Sequence, residues 1–428
     1  MSTLAIRGGK PVRSIPLPIY RTIGEEERRA AMEVIESGTL SEFLGIWSPE
    51  FFGGKRVLAF EAAWGEFFKV KHAVSVNSNT SGLNAAVGAA GVGPGDEVIV
   101  TPYSMSASAA CALVNNAVPV FADIDTTTFN ITAATIAPLI TSRTKAIVVV
   151  DIFGHPAELD EIMSLAEKWG LVVIEDAAQA PGAFYHGRSA GTLAHMGVFS
   201  LNYHKTIHTG EGGMIVTNDD NLAERLQLIR NHAEVVVKGK KVENIVNMIG
   251  QNYRMTEIEA AIGTEQLKKL PRLVERRREN AKYLDRRLEG LPGLIIPQTL
   301  PGCLHGYYVY AMRYVPESGL PTRQVVVAAL RAEGIPLGVG YVEPIYLQPV
   351  YQRKIAFGTK GFPFSKPYYY GEANYSRGIC PVVERMHFEE VITGDFCHAD
   401  LDESCLNDIA TAFEKVFGSL EEIAAMEA

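Results

Sequence analysis

The sequence predicts an α/β fold in which a largely parallel sheet is covered by helices on both faces and followed by a smaller α+β domain. Three observations carry this. Short Val- and Ile-rich runs recur through the first half of the chain, several apolar without alternation, as strands buried on both faces are. Longer segments of helical character separate them, the order that builds parallel sheets by crossover. From about residue 293 the character changes, and at 428 residues one core stops growing and chains divide.

Taken in order, the strands fall at 73–77 (AVSVN), 97–101 (EVIVT), 118–122 (VPVFA), 146–151 (AIVVVD), 171–175 (LVVIE), 196–200 (MGVFS) and 213–217 (GMIVT), with helices at 81–91, 106–115, 157–168 and 221–231. A charged amphipathic stretch, 255–290, reads as helix interrupted at Pro271 and ending near Gly290 and Pro292. Beyond it come tyrosine-rich segments, a helix over 322–333, an irregular tract over 351–378 and a last helix over 402–417. The expected division is an N-terminal segment (1–25), a large domain (26–290) and a small C-terminal domain (291–428). No fixed-period repeat suggests a solenoid.

Forty Lys and Arg against 49 Asp and Glu give a net charge of −9, which argues against nucleic acid as a partner. The 47% hydrophobic and 21% charged content is that of a globular protein. No run approaches the ~20 apolar residues of a membrane span, and the N-terminus lacks the basic-then-apolar order of a signal peptide. The five cysteines are scattered without a CxxC pair, so the expected home is a reducing cytoplasm.

Three elements carry chemistry. Asn77-Ser78-Asn79-Thr80-Ser81-Gly82-Leu83 follows a strand and opens a helix, aiming free N–H groups and the positive helix end at an anion; the same residue types are also ordinary helix caps. Asp176, in Glu175-Asp176-Ala177-Ala178-Gln179-Ala180, stands at the carboxyl end of an apolar strand, where open α/β sheets bind ligands. There it is suited to bind a metal, act as a base, hold a proton on a heteroaromatic nitrogen, or simply cap the next turn. Lys205 lies between the strand ending at Ser200 and the turn Thr209-Gly210-Glu211-Gly212-Gly213, with Ser200, Asn202, Thr206 and Thr209 as further phosphate donors. Most lysines are merely exposed, but one held in a desolvated pocket becomes a nucleophile toward aldehydes. Together, an anion cup, a strand-end aspartate and a loop lysine are what pyridoxal 5′-phosphate requires.

The stretches Ala5–Arg13, Asn77–Leu83, Gly95–Asp125, Glu175–Ala180, Phe199–Gly213, Gly250–Leu270 and Gly334–Tyr346 together resemble the DegT/StrS-type sugar aminotransferases, a fold type I pyridoxal-phosphate family. The five-residue spacing from Ser200 to Lys205, followed by Thr-Gly-Glu-Gly-Gly, is the most specific match. The resemblance implies a mixed, mostly parallel seven-stranded sheet in the large domain. It implies Lys205 as the Schiff-base lysine, Asp176 as partner of the pyridine nitrogen, and Gln179 beside the cofactor's phenolic oxygen. Thr80, the backbone at Asn79 and Ser200 match phosphate contacts, beside the potential donor Asn202. Asn252 matches an asparagine that reaches the neighbouring subunit's phosphate, which implies a homodimer with shared active sites. The aromatic ring that covers the cofactor in relatives falls here on Met105, with Tyr103 two residues earlier. His305 and Glu343 match segments that approach the substrate. Family members with histidine in place of the lysine are dehydratases; Lys205 implies transamination, from glutamate or glutamine to a keto sugar carried on a nucleotide or to a keto cyclitol.

Other readings compete. His204 and His208 have the spacing of an HxxxH metal site but no helix to carry it. A pyridoxal-phosphate lyase, dehydratase or regulatory protein would use the same fold. Gly91-Val92-Gly93-Pro94-Gly95 precedes a strand, the wrong order for a dinucleotide fingerprint. Tyr307, Tyr308 and Tyr310 alternate as core residues of a strand, Arg276–Arg278 and Arg286–Arg287 read as a solvated helix face, and Cys111 as a small buried side chain.

Overall fold

The computed structural model describes residues 3–425; residues 1, 2 and 426–428 of the expected terminal segments lie outside the described residues. Two helices, α1 (Glu25–Ser37) and α2 (Lys55–Phe68), precede the first strand, where the sequence reading placed none. The large sheet and its crossovers follow: β1 (His72–Val76), α3 (Asn79–Ala89), β2 (Glu97–Val100), α4 (Ala107–Val114), β3 (Val118–Phe121), a single turn α5 (Ala133–Ile136), β4 (Thr144–Val150), α6 (Leu159–Trp169) and β5 (Val172–Asp176). After the two-residue strands β6 (Phe184–Tyr185) and β7 (Arg188–Ser189) come β8 (Met196–Ser200), β9 (Gly213–Thr217), α7 (Asp220–Arg230), α8 (Ala233–Lys240) and the long α9 (Glu257–Leu288).

The seven strands expected from sequence form one sheet in the order β1-β9-β8-β5-β4-β2-β3. Strand β9 runs antiparallel to both neighbours and the other pairs are parallel. Registers align Val150 with Asp176, and Ser200 and Val76 with Gly213, so the strand ends that carry the three motifs share one edge.

Helix α9 runs unbroken through Pro271, contrary to the expected interruption. Proline removes one N–H bond to the preceding turn, but Pro271 is itself exposed and the helix is held by its packed face. On the opposite face Leu267, Leu270, Leu273 and Val274 are buried in one cluster with Phe60 and Trp64 of α2 and Met214 of β9. Arg277, expected on a solvated face, is buried; its Nη1 donates to Tyr307 O at 3.1 Å and its guanidinium lies 4.9 Å from the Tyr20 ring.

The remainder builds a four-stranded antiparallel sheet from β10 (Leu294–Ile295), β12 (Tyr310–Tyr314), β13 (Gly338–Val339) and β14 (Val391–Gly394), while β11 (Cys303–Leu304) pairs with β6. Helices α10 (Arg323–Ala332) and α11 (Glu403–Phe417) pack on the larger of these with Leu284 and Leu288, giving a second core. The 351–378 tract is irregular, as expected, yet Phe364, Tyr369 and Tyr375 pack into the first core. Tyr369 Oη donates to Glu97 Oε1 at 2.6 Å and Tyr375 Oη to Pro119 O at 2.8 Å. All five cysteines are buried and unpaired. Among the described residues no helix is long and apolar enough to cross a membrane.

Candidate active site

The three motifs meet in a cavity of about 210 Å³ at the carboxyl edge of the sheet. One wall is the start of α3. Ser78 caps it, its Oγ accepting from Ser81 N–H at 3.1 Å, and Ser81 Oγ donates to Asn77 Oδ1 at 2.6 Å. Being at the first two helical positions, Asn79 and Thr80 have N–H groups without an acceptor inside the helix, and both residues line the cavity. Two glycines allow this seating. A Cβ on Gly82 would stand 2.6 Å from Val198 Cγ1, and one on Gly213 would stand 2.7 Å from the Ser78 carbonyl carbon.

Asp176 ends β5 and is almost wholly buried. Its Oδ2 accepts from Ser108 Oγ at 2.8 Å; its Oδ1 accepts from Asn79 Nδ2 at 3.2 Å and from Ala178 N–H at 3.3 Å. Burial raises its pKa, while Ser108, Ala178 N–H, the Lys205 charge and Asn79 pull the other way. Ser108 was not singled out from sequence, because a serine in the first turn of an apolar helix carries no signal until β5 is laid beside it.

Lys205 closes a turn after β8, its N–H donating to Asn202 O at 2.9 Å. The side chain is buried, and burial pulls its pKa down to about 8 against the opposing charge of Asp176. Nζ donates to Tyr308 Oη at 3.3 Å and lies 4.5 Å from the centre of the Tyr308 ring. Tyr308 was read from sequence as a core strand residue. The strand begins only at Tyr310; of the three tyrosines, Tyr310 enters the second core, Tyr307 stacks on His305 at 4.2 Å, and Tyr308 turns to the site.

The other candidates divide. Gln179 lines the cavity, accepting from Phe153 N–H at 2.7 Å and donating to Tyr341 Oη at 3.1 Å. Ser200 and Asn202 line it as well, with the Asn202 amide donating to Glu211 Oε1 at 2.9 Å. Met105 lines it and is 63% exposed, whereas Tyr103 is fully buried off the lining, edge-on to Phe153 and Tyr341. Asn252 is exposed and outside this lining, its Oδ1 accepting from Arg254 Nε at 2.8 Å. His305 is buried and Glu343 exposed, both off the lining. His204 lines the cavity and His208 does not, and 203–208 is turn rather than helix. Among the described residues no cluster of His, Cys, Asp or Glu is placed to hold a metal ion.

The arrangement therefore offers an amine that is substantially neutral near pH 8, a buried carboxylate, and a helix start suited to an anion. Residues 22–393 match the DegT/DnrJ/EryC1/StrS aminotransferase family. The L-glutamine:2-deoxy-scyllo-inosose aminotransferase of Streptomyces kanamyceticus is 34% identical over 441 residues, spanning 97% of both chains. The GDP-perosamine synthase of Caulobacter vibrioides is 38% identical over 299 residues, spanning 70% of this chain and 79% of its own. Among solved structures, an aminotransferase from Psychrobacter cryohalolentis superposes with a TM-score of 0.82 at 29% identity, over 95% of this chain and 100% of its own. A match across most of the length, with a buried lysine and aspartate at the sheet edge, has one reading: the chain belongs to the DegT/DnrJ/EryC1/StrS aminotransferase family.

Proposed function

We propose that this cavity binds pyridoxal 5′-phosphate through Lys205 and that the enzyme moves an amino group from glutamate or glutamine to a ketone on a polyol ring. The observation that carries the reading is the buried Lys205 amine, with its pKa near 8, in one cavity with the buried carboxylate of Asp176.

The residues present fit the cofactor. Gly213 lets the β9 start seat against Ser78 and Asn79 with no room for a Cβ, so the start of α3, whose first N–H groups suit an anion, lies at the cavity wall. Bound there, the cofactor would supply an electron sink that makes the α-proton of an amino acid removable. The N–H groups of Asn79 and Thr80 and the Ser200 hydroxyl would hold the phosphate. Asp176, kept in place by Ser108 and Asn79, would hold a proton on the ring nitrogen. Lys205 Nζ would fix the cofactor covalently and, when free, carry a proton between the substrate carbon and the cofactor, a task for which a pKa near working pH is suited. Gln179 and Met105 would face the ring.

Of the two acceptor classes, we favour a keto cyclitol. Glutamine:2-deoxy-scyllo-inosose aminotransferases align over 97% of this chain, whereas GDP-perosamine synthase aligns over 70%. We further propose a cytoplasmic homodimer in which Asn252 serves the partner's phosphate. Its exposure outside the cavity of its own chain, beside the exposed Ile245, Val246 and Ile249, supports this.

Borohydride treatment of the protein mixed with the cofactor should attach it to Lys205, read by peptide mass, and Lys205→Ala should abolish the attachment. Each half-reaction is then screened with glutamine and glutamate against keto cyclitols and nucleotide-linked keto sugars. Attachment elsewhere, or product formed without amine transfer, would overturn the reading.

A further inference from the structure

We propose that Tyr308 is a positioning residue for Lys205, its hydroxyl accepting a hydrogen bond from Nζ while its ring face lies against the same ammonium. The inference rests on the reading of Lys205 as the reacting amine.

Two different features of one side chain meet one nitrogen. The hydroxyl stands 3.3 Å from Nζ and the ring centre 4.5 Å from it, within the range of a cation–π contact. A flexible four-carbon side chain loses rotamer freedom when so held, and the amine stays directed into the cavity when it carries no covalent bond. The backbone arranges this, because Tyr307 adopts a left-handed φ of +49° that parts its own side chain from that of Tyr308.

The groups around Nζ set its charge. Asp176 lies across the cavity; His204, Glu211 and Tyr341 also line it, and His204 stands 6.4 Å from the Tyr308 ring. The charges of Asp395 and Arg277 also act on Tyr308, with opposite signs. Burial holds the Tyr308 hydroxyl far above the ordinary tyrosine range, so it stays neutral throughout the working pH and contributes an oxygen acceptor rather than a charge. An acceptor that prefers the charged amine raises its pKa. Its removal at constant ring volume should lower it.

The test uses cofactor-free protein. Competitive acetylation across pH, read on the Lys205 peptide by mass spectrometry, should give a midpoint near 8 for the unaltered chain. In Tyr308→Phe, the midpoint should fall by about half to one pH unit, the size of one modest hydrogen bond. With the cofactor bound, the same variant should lose about 3- to 10-fold in kcat with the donor KM unchanged. An unchanged midpoint overturns the proposal, because a merely structural tyrosine would leave the Lys205 titration where it is. Failure of borohydride to mark Lys205 in the unaltered chain would instead overturn the assigned cofactor chemistry, and the titration would still report on Tyr308.

Discussion

Replacing Ser108 by alanine removes the 2.8 Å hydrogen bond to Asp176 Oδ2 and leaves Asn79 and Ala178 N–H on Oδ1. A hydrogen bond to a charged group is worth about 1.5–3 kcal/mol, which is about one to two pKa units. Asp176 already has a raised pKa in the folded chain because it is buried. A carboxyl raised on folding contributes most stability below its unfolded pKa and loses it as pH rises through the folded value. Ser108→Ala raises the folded value further, so its cost is fully felt at neutral pH and shrinks on acidification, where the protonated acid needs the donor less. Urea unfolding of the cofactor-free protein measures this at pH 7, below the Lys205 midpoint of about 8, and at pH 4.5. The expected deficit at pH 7 is about 1.5–3 kcal/mol, narrowing clearly at pH 4.5. The same deficit at both values would refute the claim that Ser108 serves the ionised carboxylate.

Gly213→Ala pushes a methyl group into the backbone of Ser78 and Asn79; it should cost about 1–3 kcal/mol and weaken cofactor binding, read by calorimetric titration. Arg230 is wholly buried and donates to Glu61 at 2.5 Å and to the carbonyls of Ser75 and Phe52 at 3.2 and 3.3 Å. Arg230→Met should therefore cost about 3–5 kcal/mol in denaturant unfolding, with much of the loss recovered when Glu61→Met is added. Exhaustive treatment with a chelator should leave turnover unchanged, since no helix carries His204 and His208 and, among the described residues, no group of three or more His, Cys, Asp or Glu is placed to hold an ion; strong inhibition would revive the metal reading.

The seven strands of the large sheet were legible to within two residues, because strands buried on both faces must be apolar throughout and little else in the chain is. The course of α9 was not. Proline reads as a breaker from sequence alone, and only the packed face of the helix shows why it survives Pro271. Arg277 misled in the same way, a charged residue within a charged run whose partner, the Tyr307 carbonyl, comes from 30 residues away. At the site, the meeting of Lys205, Asp176 and the Asn79–Thr80 turn in one cavity was legible from the three elements taken together, because each follows or ends a strand that the sequence marks. Ser108 and Tyr308 were not. Each reaches the site from a distant stretch, 68 residues from Asp176 and 103 from Lys205, and nothing local distinguishes them from neighbouring serines and tyrosines.

The 351–378 tract carries a further consequence. Strand β3 is one of the two edge strands of the sheet, and an edge strand presents a row of backbone groups that invites another chain to pair with it. Here Tyr375 occupies the Pro119 carbonyl, Tyr369 ties the neighbouring β2 through Glu97, and Asp123 just past β3 accepts from Val382 and Val383 N–H at 2.8 and 3.0 Å. The tract and the turn of helix after it thus cover part of this edge, and removing residues 351–378 should free the Pro119 carbonyl and leave the flank open to pairing.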